Sequence, residues 1–210
     1  MTERIHHRPA RLPGAAFDAF QGGEDPAVTL RRAHESAAAL LSRTRQSDDE
    51  GVIGRLLAHT DEHGLDLVAR LWAVATPGSL PGALWRIHLL RAAIRDDAAG
   101  SALAFRHGTE LLPTIDPVVA GAATPTGPEE ILRLADDILR GVFQGDLADA
   151  LARAGAYCRL SAAGWLDLAD AREQGDPEHA SALTRRADRL AAMGEELEDA
   201  ARLERRDALD

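Results

Sequence analysis

The sequence predicts an all-α protein: a multi-helix bundle of about seven or eight helices with a proline-rich connection near residues 112–128. Three observations carry that prediction. Alanine makes up about a fifth of the 210 residues and aromatic residues only 4%, which suits helices packed closely on helices better than pleated sheet. Segments that alternate with a period of two, or that cluster β-branched residues, are scarce. Proline, glycine and capping residues punctuate the chain at intervals of helix length. Hydrophobic residues at 45% and charged residues at 28% are ordinary for a globular chain, so wholesale disorder is excluded.

Residues 1–24 contain Pro9, Pro13, Gly14 and the Gln21-Gly-Gly-Glu-Asp run and lack sustained periodicity. They read as a partly flexible N-terminal arm, with Phe17 and Phe20 as its anchors. Residues 25–210 read as a single helical domain, with a subdomain division near 112–128 as the alternative. Asp25-Pro26 supplies an N-cap and a proline at the first helical position for a helix to about Arg45. Ser47 caps a second helix, whose Asp48-Asp49-Glu50 suits the positive end of the dipole and which stops at Gly64. A third spans about 65–75. Ser79 caps a helix over about 80–95, and another covers about 97–107, ending near Gly108. Four prolines between 112 and 128 forbid a continuous helix there. Thr126 and Glu129 have capping-box spacing for a helix over about 128–142, and Asp146 and Asp176 precede long helices over about 147–173 and 177–207.

The net charge of −10 opposes a general affinity for nucleic acid or anionic membrane, because both need a basic footprint. No run approaches the length of a membrane span, and the N-terminus lacks the apolar core of a signal peptide. A cytoplasmic protein is expected, and the single cysteine, Cys158, agrees with a reducing compartment.

His59 and His63, four apart, share one side of the second helix, the spacing that lets two imidazoles reach one divalent ion. Asp61 and Glu62 turn away. His107 and Glu110 are further ligand candidates only if their helix continues past Gly108. The pair also lacks the intervening glutamate of the zincin motif. A structural role for both histidines is therefore the preferred reading, with a divalent metal as the cofactor alternative.

Arg86 is a guanidinium within an apolar arc of helix 80–95, so it must pair with a carboxylate, snorkel out or face an anion. An ion pair with Asp136 or Asp137 is the expected solution, and a ligand-facing Arg86 is the alternative. Cys158 lies on a face with Leu147, Leu151, Ala154, Ala162 and Trp165 and should be buried. Leu183, Leu190 and Leu197 form a heptad stripe that packs onto the parent bundle in preference to self-association. Glu198 and Arg202 have the favourable i,i+4 order, and the Arg185-Arg186 and Arg205-Arg206 pairs read as solvated faces. No phosphate-binding loop, nucleophile elbow or dinucleotide fingerprint is present. Lysine is absent, so all 24 basic residues are arginine and Schiff-base chemistry is excluded. No catalytic or cofactor-binding residue is assigned.

The stretch 71–91, with its Leu80-Pro-Gly-Ala-Leu-Trp-Arg86 motif, resembles a family of uncharacterised actinobacterial helical proteins. Asp116-Pro-Val-Val-Ala-Gly and Cys158-Arg-Leu-Ser-Ala-Ala-Gly-Trp165 extend the resemblance over residues 50–170. It implies a bacterial cytosolic helical domain and carries no activity. The leading functional expectation is a non-enzymatic helical interaction or regulatory protein, working through a protein partner or self-association of helical faces, with no nucleic-acid or membrane partner. A metal-dependent helical-bundle enzyme using His59 and His63 is the alternative. A ligand-sensing helical regulator is a third reading, without direct DNA binding, because the first fifty residues lack a basic helix-turn-helix.

Overall fold

Aspartate and serine start the helices where the sequence places them. In the computed structural model, which describes residues 25–46, 69–112, 127–141 and 143–210, Asp25 accepts a hydrogen bond from the Ala27 amide at 2.9 Å at the head of α1 (Pro26–Gln46). Ser79 accepts from the Gly82 amide at 3.3 Å and opens α2 (Leu80–Asp96). Asp97 accepts from Gly100 at 2.8 Å and opens α3 (Ala98–Leu111). Asp146 and Asp176 cap α5 (Leu147–Asp170) and α6 (Pro177–Glu204) in the same way. Each cap satisfies an amide that the first helical turn leaves without an internal partner. Between them α4 (Pro128–Leu139) begins at Gly127 with no side-chain cap from that residue, and Thr126, with the capping box expected of it, lies outside the described residues. Residues 69–72 are the end of a further helix. The described residues contain helices and no strands, an all-α bundle as the composition predicts.

Several helix ends differ from expectation: α5 stops at Asp170, α6 at Glu204 and the helix before Ser79 at 72, each three residues short. Helix α3 runs through Gly108 to Leu111, because that glycine answers a packing demand: a Cβ there would lie 1.8 Å from the Leu160 carbonyl oxygen of α5. Gly164 of α5 reciprocates, with a Cβ position 1.8 Å from the Ala104 carbonyl oxygen. The two backbones therefore touch where they cross. Helix α4 ends at Leu139, three residues before the expected 142, and Gly141 follows with φ of +67°, the left-handed conformation that favours glycine after a helix.

Helix α5 is buried on nearly every side, from Leu147 to Ala169, and forms the centre of the bundle. One stripe, with Asp149, Arg153 and Asp170, reaches solvent, and the remaining faces are apolar, as a helix in a core requires. Helix α3 crosses one side of it, and α6 runs back along another as an antiparallel partner, meeting it at Gly155 and Gly194. Leu183, Leu190 and Leu197 are all buried, which places the heptad stripe within this chain's own core. Helix α2 packs against α1, α4 and α6, so elements on both sides of residues 113–126 share one hydrophobic cluster. The Trp72 indole donates to Ser36 of α1 at 3.1 Å, and the Leu80 amide donates to the Asp210 carbonyl oxygen at 2.7 Å. The arm 1–24 lies outside the described residues.

Candidate functional site

Arg86 is where the structure departs first from expectation. Its Nε lies 2.7 Å from Glu196 Oε2 on α6, and its Nη1 donates to the Gly82 carbonyl at 3.1 Å. The ion pair exists, but its carboxylate is neither Asp136 nor Asp137. Arg91 and Arg95, on the opposite stripe of α2, both engage Asp136, and Asp137 is exposed. Arg86 faces α6, and α4 is held by the other two arginines. Arg86 is thus an internal tie between α2 and α6, with no ligand needed to complete it.

His59 and His63 lie outside the described residues. Of the two further metal-ligand candidates, Glu110 is exposed, and His107 Nδ1 lies 2.7 Å from Asp167 Oδ2 on α5. Among the described residues no group of three or more histidine, cysteine, aspartate or glutamate side chains is placed to hold a metal ion. Cys158 is fully buried, and burial pushes its thiol up to about 12. It stays protonated and unreactive at neutral pH.

The residue that sequence reasoning passed over is Arg186. It is a quarter exposed, and it does not belong to a solvated face. Its guanidinium lies over the Trp165 ring at 4.2 Å from the centroid, an arrangement favoured by the ring's negative face. Nη1 donates to Asp97 Oδ2 at 2.8 Å, while Nη2 makes only long contacts, 3.4 Å to the Ala93 carbonyl and 3.5 Å to Ser101 Oγ. Asp97 is therefore used twice: Oδ1 caps α3 and Oδ2 holds Arg186. The Gly100 amide holds its carboxyl below the ordinary 3.8, burial opposes that, and the Arg186 hydrogen bond and charge reinforce it.

Arg186, Trp165, Ala93 and Ser101 line a cleft of about 360 Å³ bounded by α2, α3, α5 and α6. Leu90, Ile94, Leu190 and Met193 make its surface predominantly apolar, and Ser101, Tyr157 and Arg186 supply polar atoms. Asp96 and Arg189 stand at its exposed rim. The Tyr157 ring stacks on Phe105 with centroids 5.4 Å apart. Burial raises its phenol above the usual 10.0, against the pull of nearby Ser161 and Ser101 hydroxyls and the Arg186 charge. A concave, mostly apolar cavity with a few convergent polar groups is the form that small-molecule sites take.

The signal that identifies Arg186 is the one that singled out Arg86. It lies three residues after Leu183 and four before Leu190, within the heptad stripe. Two other ionic expectations on α6 change as well. Glu198 pairs with Arg159 of α5, and Arg202 pairs with Asp199, so the Glu198–Arg202 pair is not formed.

No protein-family model, curated protein or solved structure matches this chain.

Proposed function

We propose that this protein is a non-enzymatic helical regulatory module that binds a small molecule in the α2/α3/α5/α6 cleft and acts through a protein partner. The observation that carries this reading is the cleft itself, with Arg186 held between Asp97 and Trp165 at its wall. The ionisable groups there favour binding over proton transfer: Asp97 is held ionised and Tyr157 is held neutral. Leu111 and Leu166, exposed on α3 and α5, offer apolar side chains for a partner helix to cover. No described helix is long and apolar enough to cross a membrane, and the proposed setting is the cytoplasm. The proposal also places the chain in the actinobacterial helical family, on the strength of the motif ending at Arg86.

The test is native mass spectrometry of protein purified from its own cell, followed by incubation of any recovered compound with fresh protein. The expected result is a stoichiometric small molecule recovered unchanged, whose removal alters capture of a partner. Conversion of that compound into a product would overturn the non-enzymatic reading.

A further inference from the structure

The geometry points to an amphipathic organic monoanion, a carboxylate on a medium-length acyl chain, as the class of ligand that fits this cleft; the inference rests on the ligand-binding reading above. Hydrogen-bonding capacity gives the sign of the head group. Both Asp97 oxygens are engaged, by the Gly100 amide and by Arg186. Arg186, by contrast, keeps Nη2 on two long contacts, and Arg189 at the rim has no hydrogen-bond or ionic partner among the described residues. Asp96, the opposing rim carboxylate, is likewise exposed and without a hydrogen-bond or ionic partner among the described residues, so it offers one carboxylate against the guanidinium of Arg189 and the outer edge of Arg186. Donors inside and at the mouth therefore outnumber the acceptors left to them, and a carboxylate bridging Arg189 and the outer edge of Arg186 satisfies both. The Trp165 face, which a cationic head group would use, is already covered by Arg186.

Volume and lining give the tail. At about 30 Å³ for a water-sized group, a cleft of about 360 Å³ holds roughly a dozen non-hydrogen atoms. That is a carboxylate with a chain of roughly eight to ten carbons, laid on Leu90, Ile94, Leu190 and Met193.

Isothermal titration of the full chain with octanoate, octan-1-ol and octylammonium, each below its aggregation range, tests the assignment. Octanoate is expected to bind at one site per chain, and the alcohol about tenfold more weakly for want of charge-assisted hydrogen bonds. Octylammonium is expected not to saturate. Arg189→Gln, at an exposed position with no partner among the described residues, should leave the melting temperature unchanged, weaken octanoate about tenfold and leave the alcohol unaffected. A series from hexanoate to dodecanoate should gain affinity up to about ten carbons and then stop. Equal binding of acid and alcohol, an Arg189→Gln variant with unaltered octanoate affinity, or the absence of saturable octanoate binding overturns the monoanion assignment. Octylammonium binding in the same cleft overturns it while leaving the ligand-binding reading intact. A recovered native compound of another class does the same.

Discussion

Arg86 and Cys158 are residues whose surroundings decide their behaviour. The Arg86 side chain is 13% exposed and its partner Glu196 37% exposed, so the pair sits between the weak surface regime and the costly buried one. Arg86→Met removes the charge and strands Glu196, and should lower stability by about 1–2 kcal/mol. Urea denaturation of Arg86→Met, Glu196→Met and the double variant checks this; the double should recover part of the loss, and additive losses would deny the pair any coupling. For Cys158 the sign is equally definite. Its thiol ionises in the unfolded chain near 9.0 but in the folded protein only at about 12. The stability it contributes is complete below the lower value and lost as pH rises through that window. Tyr157 acts in the same direction at higher pH. Stability measured from pH 8 to 11 should fall more steeply in the wild type than in Cys158→Ala, and identical slopes would refute the assignment.

Helices were legible from the sequence because their starts are local chemistry. Asp25, Ser79, Asp146 and Asp176 each bond to an amide two or three residues away, a distance that sequence spacing fixes. Burial of Cys158 and of the Leu183, Leu190 and Leu197 stripe follows from periodicity as well, but the partners of particular side chains lie beyond local spacing. Gly108 reads as a helix stop when its partner is unknown, yet its role is to admit the Leu160 carbonyl from a helix fifty residues on. Arg186 reads as solvated until Asp97 and Trp165, on other helices, are brought to it. The apolar arc around Arg86 calls for a carboxylate, but the choice of Glu196 over Asp136 depends on which side of α2 faces α6. At the scale of elements the decisive prediction concerns the α3–α5 crossing. Gly108→Ala and Gly164→Ala each place a methyl carbon 1.8 Å from a carbonyl oxygen and should destabilise by about 3 kcal/mol or more, since backbone must move. Gly175→Ala, in the turn between α5 and α6 with nothing within 4 Å, is the uncrowded control and should change stability by under about 1 kcal/mol. Thermal melts of the three variants separate the steric clash from the loss of a glycine.

Over the whole molecule, α2 and α3 precede residues 113–126 and α4, α5 and α6 follow them, yet they bury side chains in one cluster. Urea unfolding should accordingly show one transition, with far-UV circular dichroism and the fluorescence of Trp72, Trp85 and Trp165 coinciding. Two separated transitions would establish the subdomain division near 112–128. The backbone contact at the heart of the bundle also shapes how such a chain can drift over generations. At most core positions a larger side chain can be accommodated when a neighbour becomes smaller. At Gly108 and Gly164 the neighbour is a carbonyl oxygen, present whatever residue occupies its position. No second change makes room, so variants that keep this bundle should hold both glycines while the alanines around them exchange freely.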